Sequence, residues 1–370
     1  MNKKTYIYQY AEWPNFTWDN NRISNLLAKV RNTQGRLIGK MEALGFDLQN
    51  EAFLETLTTD ILTSNEIEGV LLNKAEVRSS IAQRLGIDIG GLLQTNRNIE
   101  GIVDMMFDAT KNFDKALTKE RLFNWHYAMF PMGRSGMFKI VVGQWRKGLK
   151  GSMQVVSGPI GKEKVHYEAP PAQVLEKEMS IFLEWVNRSK DIDPVLQASI
   201  AHLWFVTLHP FEDGNGRITR AITDMLLARS DGLPQRFYSM SSQIQKNRKA
   251  YYNMLEKTQK GNLDITEWII WFLKTLQKAI ENSEDTLSLV IKKHKFWNAY
   301  ATVIKNERQK KVLVKLIEGF EGNLTTSKWA KITKCSQDTA LRDIQDLIDK
   351  GILIKSKSGG RSTKYELKNE

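Results

Sequence analysis

The chain has 370 residues, of which 41% are hydrophobic, a length and composition that predict two or three folded domains and exclude a generally disordered protein. A single cysteine, Cys335, excludes an intramolecular disulfide and favours a reducing compartment; because we find no signal peptide and no apolar stretch long enough to span a bilayer, we expect a cytoplasmic protein. The formal net charge is +12, of which +9 falls in residues 290–370, so a contact with nucleic acid is expected only there.

Helical spacing of apolar residues dominates the first part of the chain. The aromatic segment 1–20 is expected to pack on the rest of the protein, and a helix is predicted over residues 21–41. A second helix is predicted over residues 51–70, near a glycine that is a plausible helix stop. Towards that end, Ser64 and Glu68 lie four residues apart on one face, where the hydroxyl can hold the carboxylate. An ordinary helix end with a solvated glutamate is the alternative.

The period changes to that of β-strands in the middle of the chain. Segments 153–156 and 164–167 flank a turn that contains Ser157 and Gly158, a pattern typical of a β-hairpin. Before this hairpin, His126 lies in an apolar helical segment, so we expect it to be a core histidine rather than a catalytic one.

Twelve residues from His209 to Arg220 hold one imidazole, two carboxylates, two guanidiniums and two glycines. The segments on both sides have helical spacing, which predicts a short turn between two helices. The glycines let the backbone approach a ligand, and the start of the second helix adds the positive end of its dipole. Arg217 and Arg220 share one face of that helix. The segment therefore predicts a site for a polyphosphate.

Two other side chains of the turn predict its chemistry. His209 is the only group in the turn that titrates near neutrality, so it is the expected general base. Asp213 can hold Mg²⁺, which prefers carboxylate and phosphate oxygens. A helix-connecting turn with solvated arginines and a capped histidine is the alternative.

The segment 209–220 resembles the signature of the Fic family, His-Pro-Phe-x-(Asp/Glu)-Gly-Asn-Gly-Arg-x-x-Arg, and matches it at every specified position. This resemblance implies a mainly α fold: a Fic-type helical bundle with a small β-hairpin flap. The C-terminal segment, read separately, resembles a winged helix-turn-helix. The Fic resemblance also implies a protein adenylyltransferase. Such an enzyme uses ATP and Mg²⁺ to transfer AMP to a Ser, Thr or Tyr hydroxyl of a target protein or of itself.

The same resemblance implies roles for individual residues. Backbone amides of Gly214, Asn215 and Gly216, with Arg217, are expected to cradle the phosphates, and Arg220 is expected to clamp the γ-phosphate. A helix with paired tyrosines is expected to border the adenine, and the hairpin is expected to pair with the target peptide as a flap. The candidates at the adenine are Tyr251, Tyr252 and Asn253. The candidates on the flap are Val155, Val156, Ser157, Gly158, His166 and Tyr167.

The helix end at Ser64 matches the inhibitory motif of the family, (Ser/Thr)-x-x-x-Glu-(Gly/Asn). By this resemblance, Glu68 pairs with Arg220 and takes the place of the γ-phosphate. ATP could then bind only in a pose that misaligns its α-phosphate. We therefore expect auto-inhibition from within the chain.

Four regions are predicted: an N-terminal helical region (1–100) with the inhibitory motif Ser64–Gly69, a Fic core (101–285), a helical connector (286–306) and a winged-helix-like domain (307–370). The last region is expected to fold as three helices and a basic hairpin that could bind DNA. The residues expected at the major groove are Thr339, Arg342 and Gln345. Those expected at phosphates are Lys355, Lys357 and Arg361. Protein contact or dimer docking is an equally open alternative, because three acidic residues lie on the same third helix: Asp338, Asp343 and Asp346.

Other readings of the core stay open. It could transfer another nucleotide, or remove AMP by hydrolysis with Glu68 orienting water. It could also sense nucleotide without turnover in a DNA-binding regulator, although the complete catalytic signature argues against this. No membrane partner is expected, and a homodimer is left open.

Overall fold

The computed structural model describes residues 6–87, 93, 95–148, 151–159, 161–188, 191–304, 306–317, 319–320, 322–356 and 363–368. The chain divides into two compact units, Met1–Glu284 and Asp285–Glu370. Within the described ranges, no helix combines the length and the apolar character needed to cross a membrane.

The first unit is built from helices, as the spacing of apolar residues predicts. They are α1 (Asn20–Glu42), α2 (Phe46–Ile67), α3 (Lys74–Leu85), α4 (Arg97–Lys111), α5 (Lys119–Met129), α6 (Leu175–Arg188), α7 (Pro194–Leu208), α8 (Asn215–Asp231), α9 (Met240–Lys246), α10 (Arg248–Gln259) and α11 (Thr266–Tyr300). Short 3₁₀ helices occupy Ile7–Gln9 and Ala172–Val174. The last helix, α11, crosses the boundary between the two units.

Two antiparallel hairpins interrupt the helices. Strands β1 (Arg134–Ser135) and β2 (Phe138–Lys139) form the first. Strands β3 (Gln154–Ser157) and β4 (Lys164–Glu168) form the second, with a register shift between Val155 and Val156. The predicted hairpin is thus confirmed, with strands within one or two residues of those expected from the sequence.

Helix α7 is the centre of the first unit because its sequence is apolar on every face, so the whole helix from Val195 to Leu208 is buried. Trp204 on this helix receives the aromatic N-terminal segment. The rings of Trp13 and Phe16 contact it edge to face, with centroid separations of 6.0 and 5.8 Å. The N-terminal segment therefore packs on the core, as expected.

The second unit consists of α12 (Glu307–Ile317), α13 (Thr326–Thr333), α14 (Gln337–Asp349), β5 (Leu353–Lys355) and β6 (Tyr365–Leu367), and the two strands pair antiparallel. Its core surrounds the fully buried Trp329. The order of three helices and a hairpin agrees with the sequence, whereas the assignment as a winged helix stays a prediction. Ile304, from the predicted connector, belongs to this core, and Phe296 packs against it.

The structure corrects one expectation about α14. Asp343 was expected on the surface that would face a partner, but it is buried and accepts hydrogen bonds from Asn306 at 2.7 Å and from Arg308 Nε at 2.8 Å. The reason is helical spacing, because Asp343 lies three residues after Ala340 and four before Leu347, on the face that packs inward. Arg342 is exposed as expected, while Lys357 and Arg361 lie outside the described residues.

Candidate active site

A short turn joins α7 to α8, as the sequence predicts. His209 ends α7 in the left-handed conformation, with φ of 48°, and its N–H donates to Phe205 O at 3.0 Å. Gly214 precedes α8 with φ of 80°, and a Cβ there would lie 2.8 Å from Met129 and 2.9 Å from Phe130. Only glycine fits this position, because both the conformation and the space exclude a side chain.

The Asn215 side chain closes the turn on itself. Its Oδ1 accepts from Phe211 N at 2.9 Å, and its Nδ2 donates to Phe211 O at 2.8 Å. Phe211 is fully buried and stacks on His126 with a ring separation of 4.2 Å. Because the amide is occupied in this way, only the backbone N–H of Asn215 is available to a ligand. That N–H and the one of Gly216 lie in the first turn of α8, where no helical acceptor exists.

His126 is buried, as expected, and it supports the turn. Gly143 N donates to its Nδ1 at 3.2 Å, so the proton of the neutral ring is on Nε2, which donates to Asp213 O at 3.2 Å. Burial lowers the pKa of His126 to about 4, which keeps the ring neutral. This histidine therefore connects α5 to the motif without an acid–base role.

Arg146, which the sequence did not single out, holds the end of α7. Its Nε donates to His209 O at 2.8 Å, and its Nη2 donates to Pro170 O at 2.5 Å. Its backbone N–H donates to Pro210 O at 2.9 Å. The side chain is buried, so these carbonyls have no competing water and fix the backbone of His209.

The half-buried His209 has the protonation state of a base. Its Nδ1 lies 3.2 Å from Val206 O, and a carbonyl only accepts, so Nδ1 carries the proton and Nε2 has a free lone pair. Burial lowers the pKa of His209 to about 4, which favours the neutral ring at physiological pH. The residue can therefore accept a proton at Nε2.

Asp213 presents a partly exposed carboxylate at the turn. Ser135 donates its hydroxyl to Asp213 Oδ2, and Gly214 N donates to Oδ1 at 2.5 Å. Arg217 Nη2 lies 3.8 Å from Oδ1. Across the described residues, no group of three or more His, Cys, Asp or Glu side chains is arranged to hold a metal.

Both arginines of the motif are buried and keep free donors. Arg217 Nε and Arg220 Nη1 are buried and make no hydrogen bond within the described part of the chain. Arg217 also lies over the ring of Phe130, 5.0 Å from its centroid. A buried guanidinium with an unpaired N–H is costly unless an anion completes it. These donors therefore suit a ligand with several negatively charged oxygens.

The end of α2 reaches the second arginine. Arg220 Nη2 donates to Glu68 Oε1 at 2.7 Å and to Ser64 O at 2.8 Å, while its Nε donates to Ser64 Oγ at 2.8 Å. The sequence predicts that the Ser64 hydroxyl holds the Glu68 carboxylate. In the structure this hydroxyl accepts from the Arg220 guanidinium instead. The Glu68 carboxylate also covers the start of α8, since a Cβ on Gly216 would lie 2.1 Å from Oε1.

These elements surround one cavity of about 820 Å³, within the range of small-molecule sites. Its lining includes Glu68, His209, Asp213, Gly214, Asn215 and Gly216, and on α10 it includes Tyr251, Tyr252 and Asn253. Tyr251 is nearly fully buried, and its hydroxyl lies 2.9 Å from His202 Nε2, so this tyrosine is mainly part of the core. Tyr252 is more open and lies under Arg248, whose guanidinium is 5.5 Å from the ring centroid.

The hairpin β3–β4 forms another wall of this cavity. Val155, Val156, Ser157 and His166 all line it, whereas Gly158 lies in the turn beyond, with φ of 106°. Tyr167 also borders the cavity, but its side chain is buried and its hydroxyl donates to Thr207 O at 2.8 Å. The Tyr167 side chain therefore anchors the hairpin. It was expected to contact a target, but its burial leaves no side-chain surface for that contact.

A profile of the Fic/DOC family matches residues 116–227, which contain α5, both hairpins, α7, the turn and most of α8. This part of the chain is therefore similar to the Fic/DOC family. A second profile, described as a domain of unknown function (DUF4172), matches residues 6–87, so it includes the end of α2 that reaches the Fic/DOC site.

Known relatives resemble the Fic/DOC part of the chain. The "Probable protein adenylyltransferase" of Aquifex aeolicus is 28% identical over 121 residues, 33% of this chain and 33% of that protein. "Protein adenylyltransferase Fic" of Nematostella vectensis is 33% identical over 116 residues, 30% of this chain and 25% of that protein. The chain thus spans a third or less of the length of these relatives.

Solved structures share the fold. A Fic family protein from Desulfovibrio desulfuricans aligns with 96% of this chain and 98% of its own, with a TM-score of 0.53 and 20% identity. A Fic domain containing signaling protein from Bacteroides thetaiotaomicron aligns with 73% of this chain and 96% of its own, with a TM-score of 0.51 and 20% identity. The mainly helical Fic fold is therefore established for this chain.

Proposed function

We propose that this chain is a protein adenylyltransferase that transfers AMP from ATP to a hydroxyl group of a target protein. The observation that carries the proposal is the position of His209, which lines the same cavity as the glycine turn and whose Nδ1 contact with Val206 O leaves Nε2 unprotonated. The names of the two relatives support the same activity. Transfer of AMP needs a base, a triphosphate site and room for a target, and the cavity has features suited to each.

The turn would bind the triphosphate. The N–H groups of Asn215 and Gly216 and the dipole of α8 attract phosphate oxygens. The unpaired Nε of Arg217 and Nη1 of Arg220, on the same helix, would add charged donors. Tyr252 and Asn253 line the cavity on α10, where an aromatic face and an amide would suit the adenine.

His209 would act on the target hydroxyl. Its Nε2 takes the proton while the hydroxyl oxygen attacks the α-phosphorus in line, and the bond to the leaving pyrophosphate breaks. Arg146 fixes the His209 backbone, so the imidazole needs little reorganisation before the reaction. Positive charge at Arg217 and Arg220 would stabilise the negative charge of the phosphates.

Mg²⁺ fits the site at Asp213. Proteins often hold this ion through one or two carboxylates together with substrate phosphates, so a single partly exposed carboxylate beside the turn is a suitable donor set. The ion, when bound, would neutralise phosphate charge. Ser135 orients the carboxylate through its hydroxyl, which leaves Asp213 ready to act without rearrangement.

Glu68 would keep this enzyme inhibited. Its carboxylate occupies Arg220 Nη2 and lies against the start of α8, two places that a γ-phosphate would use. A triphosphate would meet a negative charge there, and the clamp would be unavailable. The same position would let Glu68 orient a water molecule, so hydrolytic removal of AMP is the second candidate activity.

The hairpin β3–β4 would hold the target next to His209. Val156 and Val165 are exposed on it, and an extended peptide could pair with its edge. The second unit could recruit DNA or protein; exposed Arg342 on α14 and a net charge of +9 over residues 290–370 support DNA. We propose a cytoplasmic protein and leave its oligomeric state open.

The test is AMP incorporation from α-labelled ATP with Mg²⁺, measured on the purified chain and on a mixture of candidate targets. Replacing His209 with alanine should lower incorporation into the targets by about 100-fold or more, because no other imidazole lies in the turn. A parallel series with other nucleoside triphosphates tests the nucleotide preference. Incorporation into the targets by His209→Ala at the rate of the unmodified chain would refute the proposed base.

A further inference from the structure

Three side chains on the wall of the cavity form a connected chain that the transfer to a target does not use. Ser157 Oγ lies 2.6 Å from His166 Nε2, and His166 Nδ1 lies 2.7 Å from Glu256 Oε2. Ser157 ends β3, His166 is on β4, and Glu256 is on α10, so residues distant in sequence supply a hydroxyl, an imidazole and a carboxylate in that order.

The hydrogen bonds fix the direction of proton transfer in this group. A carboxylate only accepts, so a neutral His166 carries its proton on Nδ1 and accepts from the Ser157 hydroxyl at Nε2. Lys260 Nζ donates to the other oxygen of Glu256 at 2.7 Å. Hydrogen bonds from Lys260 and His166 lower the pKa of Glu256 to about 2, which keeps its carboxylate charged. This is the arrangement that activates a serine nucleophile.

The Ser157–His166–Glu256 group also lies at the wall of the proposed nucleotide cavity. Ser157 is exposed, and Ser157, His166 and Glu256 line the same cavity as His209 and the phosphate-binding turn. Gly158 follows Ser157 with φ of 106°, and the register shift after Val155 bends the strand that carries the hydroxyl. The hydroxyl therefore belongs to an element that borders the nucleotide space and ends in a turn.

We infer that Ser157 is an acceptor of the adenylyl group within the chain itself, with His166 as its own base and Glu256 as the residue that positions His166. The inference rests on the proposed adenylyltransferase activity. Ser157 Oγ attacks the α-phosphorus of ATP and forms a phosphoester bond, the bond from that phosphorus to pyrophosphate breaks, and the serine proton moves to His166 Nε2. The products are adenylylated Ser157 and pyrophosphate, which balances the reaction.

The experiment uses the full chain carrying Glu68→Gly, so that the inhibitory carboxylate does not mask the reaction. The protein is incubated with ATP and Mg²⁺ in the absence of any target. Peptide mass spectrometry locates the adduct, and pyrophosphate release is measured in parallel. The matched control is Ser152→Ala, which removes another exposed hydroxyl before β3.

We expect adenylylated Ser157 in the parent and in Ser152→Ala, and loss of most of the label in Ser157→Ala. His166→Gln keeps the Ser157 hydroxyl but cannot take its proton, so labelling of Ser157 should slow by about 100-fold. Circular dichroism and the thermal midpoint of each variant establish that it is folded.

Two results would overturn the inference. Pyrophosphate release with no adduct at Ser157 would remove the proposed acceptor. Labelling of Ser157 in folded His166→Gln at the parent rate would remove its proposed base. Both results leave the adenylyltransferase proposal intact. Absence of both pyrophosphate release and label in the parent would remove the inference together with the function on which it rests.

Discussion

Replacing Glu68 with glycine removes the carboxylate that occupies Arg220. In the folded chain the two side chains meet at 2.7 Å and are 29% and 3% exposed, respectively, so the guanidinium is shielded from water. A hydrogen bond to a charged group contributes about 1.5–3 kcal/mol net. At about 1.4 kcal/mol for each factor of ten, loss of this contact should favour occupation of Arg220 by phosphate by about 10- to 150-fold.

The assay compares the initial rates of AMP incorporation at an ATP concentration below saturation, together with the dissociation constant of a non-hydrolysable ATP analogue. Glu68→Gly should raise the rate, and lower the dissociation constant of the analogue, by a factor in that range. The matched control is Glu66→Gly, which makes the same change two residues earlier, where the side chain makes no described contact with Arg220. This control separates the loss of the carboxylate from the effect of a glycine at the end of α2.

Equal rates and equal affinities for the unmodified chain and Glu68→Gly would refute the inhibitory role of the carboxylate. An equal rise in Glu66→Gly would refute it as well, because the cause would then be loosening of the helix end. If Glu68→Gly binds the analogue more tightly but does not transfer AMP faster, Arg220 clamps the phosphate without aligning the reacting phosphorus.

Further predictions concern the base, its support and the second unit. Burial lowers the pKa of His209 to about 4, so the base stays neutral below pH 6.5. We therefore expect kcat/KM per folded chain to fall only as the pH drops through about 4. A midpoint of the pH profile near 6.5 would contradict this. Arg146→Ala leaves buried carbonyls unpaired and should lower the free energy of unfolding by about 1.5–3 kcal/mol in denaturant titrations, whereas Lys147→Ala at an exposed site should not. Removal of residues 285–370 should abolish a salt-dependent affinity for duplex DNA; if the intact chain shows no such affinity, the DNA partner is excluded.

Local pattern was sufficient for most of the fold. Apolar spacing placed the helices, and β-branched runs placed the hairpin β3–β4, because both signals arise from residues close together in sequence. The turn before α8 was also predictable, since its glycines and charged residues are contiguous. The pairing of Glu68 with Arg220 followed only from the family resemblance, because nothing in either segment alone points to the other.

Long-range partners account for what the sequence did not predict. Ser135 binds the carboxylate of Asp213, 78 positions away, and Arg146 binds the carbonyl of His209, 63 positions away. No periodicity marks such contacts, since they depend on how helices and hairpins pack. For Asp343 the prediction of exposure was wrong. Its charge suggested an exposed position, but Arg308 compensates that charge, so the carboxylate can be buried.

The carboxylate that meets Arg220 belongs to the same polypeptide as the arginine, at the end of a helix packed against α9 and α8. Its local concentration at the guanidinium is therefore set by the fold, and dilution of the protein leaves it unchanged. A cell that regulated this contact would have to displace the end of α2 or modify it chemically, because lowering the amount of protein would release nothing.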